Sequence, residues 1–230
     1  MLSLGLAIPP QADLSVLAVG AHPDDIEIGA GGLAMALAGS HPGLRVRYVL
    51  LTGSADRQAE ARHAASCFFP GADVTFTMGT LPEGRLPAIW GEVKSILTEV
   101  ASSCVPDLII APHERDAHQD HRTIAEIIPT VFRDHLYLAY EIPKWDGDLG
   151  RGQPSVYVPM SADRARRKVE LVHKCFPSQH GRDWWDEEVF LGLARLRGIE
   201  CRAPYAEAFS CAKCVLVPSD SAGSAAGADQ

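Results

Sequence analysis

The sequence has no long run of basic residues, and this absence limits the partners that the protein can have. Its 21 lysines and arginines are outnumbered by 29 aspartates and glutamates, so the formal net charge is −8 at pH 7 with neutral histidines. Nucleic acids and anionic membrane surfaces both demand a basic face on their partner. We therefore expect neither as a partner, and we expect a neutral or small polar substrate.

Long apolar runs are also missing. No segment approaches the roughly twenty consecutive apolar residues of a membrane span, and no basic stretch precedes the apolar residues at the start of the sequence, as it would in a secretory signal. The pattern predicts a cytoplasmic protein without a membrane partner. The oligomeric state is left open, and a homo-oligomer is one of the arrangements that the sequence allows.

The six cysteines lack the regular spacing of a disulfide framework, which is typical of reduced thiols in the cytoplasm. The one close pair, Cys211 and Cys214, lies in AFSCAKCVLVP, which we predict to be a strand. Residues three apart on a strand point to opposite faces and do not easily share a metal, and no second such pair completes a four-ligand site. We expect structural thiols there.

Short apolar runs alternate with segments of helical spacing through two-thirds of the chain. The runs that predict strands cover residues 14–20, 44–52, 72–78, 107–112 and 136–141, and the helical segments cover 27–39, 56–69, 88–103 and 120–133. This alternation implies right-handed β-α-β crossovers. The predicted fold is α/β and Rossmann-like, a mostly parallel sheet flanked by helices in a single domain.

The pattern changes after residue 141. Residues 143–158 are rich in Gly, Pro and aromatics and predict a loop over the edge of the sheet, followed by helices over 162–175 and around 184–198. The last residues, SDSAGSAAGADQ, are too small and polar to bury a core. We expect one domain over residues 1–217 and a disordered tail over 218–230.

Two polar clusters follow predicted strands, AHPDDIEIGAGG at residues 21–32 and APHERDAHQDHR at 111–122. Ligands of open parallel sheets bind beyond the carboxyl ends of the strands, so both clusters should meet at that edge. A catalytic zinc site uses three His or carboxylate ligands and keeps a position open for water. The candidate residues are His22, Asp24 and Asp25 in the first cluster and His118, Asp120 and His121 in the second.

Plainer structural explanations exist for both clusters. Asp24 or Asp25 could cap the helix that begins near Ile26, and residues 118–121 could cap the helix that runs to Arg133. The glycines at 29–32 could belong to a nucleotide-binding loop, but the dinucleotide fingerprint opens directly after the strand, where the acidic motif stands here. We interpret these glycines as positions of close helix packing.

The motifs AHPDDIE and HQDH resemble those of the PIG-L/LmbE-like family of metal-dependent N-acetylglucosaminyl deacetylases, whose hallmark is AHPDD-x-E followed by H-x-D-H. The similarity extends from about Leu14 to Phe209, through RQAEA at 57–61 and YAEAF at 205–209, which are weaker motifs. Many members have a long glycine-rich loop after the second strand. Here LTGSADRQAEAR leads almost directly into the helix.

The resemblance implies a role for each candidate residue. His22, Asp25 and His121 would bind Zn²⁺ or another divalent metal, and Asp24 would be the general base that takes the proton of the attacking water. His118 would stabilise the oxyanion and help the amine to leave, with Asp120 orienting and charging its imidazole. Arg57 is similar to a family arginine that reaches the active site and would bind substrate. His113 lies outside H-x-D-H and is expected to be dispensable for the metal.

Three functions remain at this point. The first is a zinc-dependent deacetylase acting on an N-acetylated amino sugar, or on its glycoside or conjugate, in secondary metabolism. The second is a metal-dependent hydratase or lyase acting on an unsaturated carboxylic acid, since the family includes at least one hydratase. The third is a metal-stabilised binding protein, which is disfavoured because structural zinc sites usually have four protein ligands.

Overall fold

A seven-stranded sheet forms the centre of the protein. The computed structural model describes residues 3–6, 8, 12–143, 147, 149 and 153–216. In chain order the strands are β1 Leu14–Gly20, β2 Leu44–Thr52, β3 Asp73–Leu81, β4 Leu108–Pro112, β5 Leu136–Tyr140, β6 Val156–Met160 and β7 Tyr205–Ser210. The helices are α1 Asp25–Ser40, α2 Ala55–Phe68, α3 Trp90–Ser103, α4 Gln119–Val131, α5 Ala162–Cys175 and α6 Glu187–Cys201.

The strand order is β3-β2-β1-β4-β5-β7-β6. The first five strands pair in parallel, and β7 pairs antiparallel with both β5 and β6. The order reverses direction between β2-β1 and β4, and such a switch point creates a crevice at the carboxyl ends of the strands. The predicted α/β, Rossmann-like, single-domain fold is confirmed.

The sheet is buried on both faces, which explains the continuous apolar runs of its central strands. Alternate residues of β1 belong to two separate cores: Leu14, Val16 and Ala18 face α1, α2 and α5, whereas Leu17 and Val19 face α3 and α4. Helix α6 packs on α5 and β7 at the far edge. No helix among the described residues is both long and apolar enough to cross a membrane.

Two predictions about the second half of the chain were wrong. Residues 156–158, assigned to a loop, belong to edge strand β6, where Pro159 is tolerated because an edge strand needs no full ladder of amide donors. The Cys211/Cys214 pair lies beyond the end of β7, not within a strand. The predicted tail at 218–230 lies outside the described residues.

Helix α1 is interrupted at Ala30, whose φ and ψ are −141° and 16°. The buried ion pair of Lys168 and Glu207 forms hydrogen bonds with the backbone on both sides of this break. Glu207 accepts from the Gly32 and Leu33 amides at 2.6 and 2.7 Å, and Lys168 donates to the Ile28 carbonyl at 2.6 Å. The two side chains lie 2.7 Å apart, Nζ to Oε1. They satisfy backbone groups that the break would otherwise leave without a helical partner.

The glycines of this helix allow close packing, as the sequence predicted. A Cβ added to Gly29 would lie 2.4 Å from Cδ2 of Tyr140, and one added to Gly32 would lie 2.3 Å from Sδ of Met160. Real Cβ atoms do not approach neighbours so closely. The glycines therefore bring the start of α1 against β5 and β6.

Candidate metal centre

The two polar clusters meet at the carboxyl ends of β1 and β4, which are adjacent strands of the sheet. The His22 ring lies 4.6 Å from the His118 ring and 5.3 Å from the His121 ring, centroid to centroid. His22 and His121 are buried, and His118 is half-buried. The expected meeting of the clusters is observed.

Three donor atoms at this edge form a small triangle. Oδ2 of Asp25 lies 3.5 Å from Nδ1 of His22 and 3.2 Å from Nε2 of His121, and the two nitrogens are 3.3 Å apart. Ligand atoms about 2.0–2.1 Å from a tetrahedral Zn²⁺ lie roughly 3.3 Å from one another. The three side chains therefore fit a small divalent cation in donor type and in spacing.

His118 borders this triangle and also begins a helix. One ring nitrogen of each of His22, His118 and His121 can be chosen so that all lie within 4.8 Å of one another. Nδ1 of His118 accepts from the Asp120 amide at 3.1 Å, so His118 is the N-cap of α4. The capping explanation is thus correct for His118, and the same bond puts the proton of the neutral ring on Nε2.

Two further carboxylates orient the histidines. Nε2 of His22 lies 3.2 Å from Oδ2 of Asp120, and Nδ1 of His121 lies 3.1 Å from Oδ2 of Asp116. A carboxylate on one imidazole nitrogen fixes the tautomer and leaves the other nitrogen for a metal. In both rings the remaining nitrogen is the one that faces Asp25.

Asp120 makes contacts beyond the role that the resemblance implies, and that role stays a prediction. Its carboxylate contacts His22 and accepts from the amides of Gly84 and Leu86 at 2.6 and 3.1 Å, while its contact with His118 is made by its backbone amide. Asp116 was not predicted at all. Its sequence signal was present, because it lies within the second cluster, two residues before His118.

The buried carboxylates favour positive charge between them. Burial alone lowers the pKa of His22, but the negative charge of Asp25 and the bond to Asp120 outweigh it and raise that pKa to about 10. Burial raises the pKa of Asp25, but His121 and His22 outweigh burial and hold it well below its usual range. The electrostatics of the centre therefore suit a cation.

Asp24 has a strained backbone beside this centre. Its φ is 104°, a left-handed value that is uncommon for a residue other than glycine. Although it stands at the N-cap position of α1, its carboxylate turns away from the helix amides and accepts from Nη2 of Arg57 at 3.1 Å. Oδ2 of Asp25 accepts from the amides of Ala21 and His22, both before the helix. The capping explanation is therefore wrong for both aspartates.

The surroundings of Asp24 raise its pKa to about 7. Burial is the main cause, the nearby Asp25 charge adds to it, and the positive charges of Arg57, His22 and His121 oppose it. A carboxylate with such a pKa can both take and release a proton near neutral pH. Strained backbone and a shifted pKa at one residue are typical of functional sites.

Arg57 and His113 complete the set of predicted residues. Arg57 lies in the first turn of α2, and its guanidinium contacts the Pro23 carbonyl, Asp24 and, at 3.5 Å, Glu83. Nδ1 of His113 accepts from the Arg115 amide at 3.0 Å, and His113 is in neither group of potential metal ligands in the described part of the chain. The dispensability of His113 stays a prediction.

The chain is similar to several known proteins. A curated protein of Escherichia coli K12, the uncharacterized deacetylase YaiS, is 28% identical over 141 residues, which cover 56% of this chain and 74% of that protein. Among solved structures, N,N'-diacetylchitobiose deacetylase from Pyrococcus horikoshii has a TM-score of 0.67 at 20% identity and covers 86% of this chain and 83% of its own. The 4-carboxy-2-hydroxymuconate hydratase GalB from Pseudomonas putida has a TM-score of 0.64 at 17% identity, over 89% and 98% of the two chains.

These two structural likenesses show a shared fold. The family model described as GlcNAc-PI de-N-acetylase, PIG-L, matches residues 17–132, half of the chain, and this segment contains both polar clusters. Taken with the arrangement of those clusters at the edge of the sheet, the match shows that the chain belongs to the PIG-L deacetylase family.

Proposed function

We propose that the protein is a metal-dependent N-deacetylase that removes the acetyl group from an N-acetylated amino sugar, or from its glycoside or conjugate. The observation that carries the proposal is the position of Asp24, a buried carboxylate with a pKa of about 7, beside the donor triangle of His22, Asp25 and His121. Amide hydrolysis needs an electrophilic centre and a base side by side, and this arrangement provides places for both.

His22, Asp25 and His121 would hold the metal. When bound, Zn²⁺ polarises an amide carbonyl and lowers the pKa of water, and other divalent ions that accept imidazole and carboxylate ligands can do the same. Asp120 and Asp116 would keep the two imidazoles in the tautomers that face Asp25.

Asp24 would act as the general base. It takes the proton of the water that attacks the acetyl carbonyl, and its raised pKa suits that transfer near neutral pH. Arg57 holds the carboxylate in place and is itself occupied by Asp24 and the Pro23 carbonyl. We therefore assign Arg57 to positioning Asp24 rather than to substrate contact.

His118 would stabilise the negative charge that develops on the carbonyl oxygen. Burial, followed by the positive charges of His22 and His121, lowers the pKa of His118 to about 4, so its ring is neutral at pH 7. With Nδ1 occupied by the Asp120 amide, Nε2–H is the donor available to an oxyanion. The proton that Asp24 has taken then goes to the nitrogen of the departing amine.

Measurement of acetate release tests the proposal. Protein freed of metal by a chelator is assayed over a panel of N-acetylglucosamine conjugates, and then again after addition of Zn²⁺ or another divalent ion. We expect activity with metal and none without it. Full activity of the metal-free protein contradicts metal dependence, and metal-loaded protein that binds the conjugates without releasing acetate supports the binding protein instead.

The hydratase stays the alternative enzyme, because GalB shares the fold. Hydration of an unsaturated carboxylic acid in place of acetate release would favour it. A hydratase also needs a cationic side chain for the substrate carboxylate, and Arg57 is already bound to Asp24.

The cytoplasmic location, the small-molecule partner and a homo-oligomeric state stay predictions.

A further inference from the structure

A second group of metal-binding side chains lies on helices α2 and α5, outside the proposed deacetylase centre. Among the described residues, His63, Cys67 and Cys175 each offer one ligand atom, and these atoms all lie within 4.8 Å of one another. Cys175 is buried, Cys67 is half-buried and His63 is exposed. Both cysteines are free thiols.

The local structure explains how these residues come together. His63 and Cys67 are four residues apart on α2, so their side chains lie on one face of the helix, and Nε2 of His63 is 3.9 Å from Sγ of Cys67. Cys175 is the last residue of α5, which packs against α2. The group therefore joins two helices that are far apart in sequence.

A second contact holds the two helices in this register. Glu60 lies one turn before His63 on α2 and accepts from both the amide and the hydroxyl of Ser178, at 2.9 and 2.6 Å. Ser178 belongs to the short 3-10 turn Pro177–Gln179 that directly follows α5. This contact therefore links α2 to the end of α5 beside the three ligand residues and involves none of them.

We propose that His63, Cys67 and Cys175 form a second metal site, which binds a thiophilic divalent cation such as Zn²⁺ through two thiolates and one imidazole. In a tetrahedral zinc site with Zn–S of about 2.3 Å and Zn–N of about 2.05 Å, sulfur and nitrogen lie roughly 3.6 Å apart and two sulfurs roughly 3.8 Å apart. The 3.9 Å between His63 and Cys67 needs only a small adjustment. Because His63 is exposed, water can supply the fourth ligand.

Binding has a defined proton balance. Each thiol must lose its proton to coordinate, so one cation displaces two protons to solvent, and the neutral imidazole loses none at Nε2 when Nδ1 carries its proton. The bound cation stabilises both thiolates at once. It would tie the C-terminal ends of α2 and α5 together.

A redox pair is the other chemistry that two neighbouring cysteines offer, and the surroundings of Cys175 disfavour it. Burial, followed by the neighbouring Cys67 thiol, raises the pKa of Cys175 to about 12. Attack on a disulfide or a peroxide needs a thiolate, so this thiol is a weak nucleophile. A metal ion compensates for the same unfavourable charge directly.

Titration of the full-length, reduced, metal-free protein with Co²⁺ tests the proposal. Thiolate ligands give an intense sulfur-to-cobalt charge-transfer band, which the imidazole and carboxylate ligands of the deacetylase centre do not give. We expect this band to appear in the wild type. Its final intensity should correspond to one Co²⁺ bound through the thiolates of Cys67 and Cys175. It should vanish in Cys67→Ser and Cys175→Ser, and His63→Ala should need at least tenfold more Co²⁺ to reach half of the signal.

The matched controls are Cys104→Ser, Cys211→Ser and Cys214→Ser, which should keep the band unchanged. Because Cys175 is in the core, its variant could fail to fold, and the half-buried Cys67 and exposed His63 then carry the test. The proposal is overturned if saturating Co²⁺ gives no charge-transfer band, or if the band survives in Cys67→Ser or disappears in Cys214→Ser. These outcomes do not depend on deacetylase activity.

Discussion

The Arg57 side chain bonds both to the Asp24 carboxylate and to the carbonyl of Pro23, which belongs to the peptide that precedes Asp24. One nitrogen, Nη2, donates to the Pro23 carbonyl at 2.7 Å and to the Asp24 carboxylate at 3.1 Å. The peptide that carries the strained φ of 104° and the carboxylate that would accept the proton are therefore fixed by the same guanidinium. Such strain costs about 1–3 kcal/mol and persists only where surrounding contacts determine it.

Replacing Arg57 should change the pH dependence of the reaction. The Arg57 charge lowers the pKa of Asp24, so Arg57→Gln should raise that pKa and move the acidic limb of kcat/KM to higher pH. Because a misplaced base can cost about 10²-fold, kcat should also fall by up to that factor, with a smaller change in KM. Arg57→Lys keeps the charge and should keep the limb near its original position. A large rise in KM with an unmoved limb would show that Arg57 binds substrate instead.

Asp24→Asn should separate catalysis from folding. The amide has nearly the same shape and can still accept from Arg57, so the fold and the metal content should be retained. Turnover should fall by roughly 10²-fold or more, the usual scale for losing a general base. Asp56→Asn, an exposed position in the first turn of α2, is the control. Near wild-type turnover with normal metal content would show that Asp24 is only structural.

Metal analysis of single variants should identify the ligands. His22→Ala, Asp25→Ala and His121→Ala should each lose the metal, because each removes one corner of the donor triangle. His118→Ala should keep the metal and lose turnover, and His113→Ala should keep both. If His118→Ala loses the metal while Asp25→Ala retains it, the three histidines form the site in place of the Asp25 triangle.

Asp116→Asn should weaken metal binding although Asp116 is not a proposed ligand. Its carboxylate lies 3.1 Å from Nδ1 of His121 and fixes the orientation of that ring. Loss of such a partner typically costs 10–100-fold in metal affinity or activity, or about 1.4–2.7 kcal/mol. Competition with a metal indicator measures the change. Glu114→Gln, on a highly exposed side chain in the same loop, should leave affinity unaltered, and an equal loss there would remove the specific role of Asp116.

The Lys168–Glu207 pair should be costly to break from one side. Glu207→Gln leaves the buried Lys168 charge without its partner, and losses of this kind are about 3–5 kcal/mol in the free energy of unfolding. The double variant Lys168→Met, Glu207→Gln should be less destabilised than the sum of the two single variants. Denaturant titration measures all three. Glu170→Gln, which breaks an exposed pair with Arg167, should change stability by less than about 0.5 kcal/mol.

The sequence predicted the five parallel strands of the sheet closely, for a physical reason. Strands such as Leu14–Gly20 are buried on both faces, so their apolar runs begin and end with the strand itself. Edge strand β6 gives a weaker signal, because its apolar run VYV is only three residues long and is followed by Pro159. Its pairing depends on β7, which lies far along the chain.

Site residues that belong to a recognisable motif were found from the sequence. Residues whose role depends on a neighbour that only the fold brings close were not. His22 and His121 were recognised as members of a cluster, whereas Asp116 has the appearance of any loop aspartate until its distance to His121 is known. The Cys67–Cys175 proximity is of the same kind, since no spacing rule joins two residues on different helices. Glu207 was noted in a motif, but its bonds to Gly32 and Leu33 follow only from the folded chain.

The bonds that Glu207 makes to α1 have a consequence for synthesis on the ribosome. Every proposed ligand of the deacetylase centre has been translated by residue 121, yet the carboxylate that anchors Gly32 and Leu33 belongs to β7, which follows all the other strands along the chain. The nascent chain therefore contains all of these ligand residues long before it contains Glu207, which bonds to helix α1. Gly32 is thus made 175 residues before the side chain that accepts from its amide.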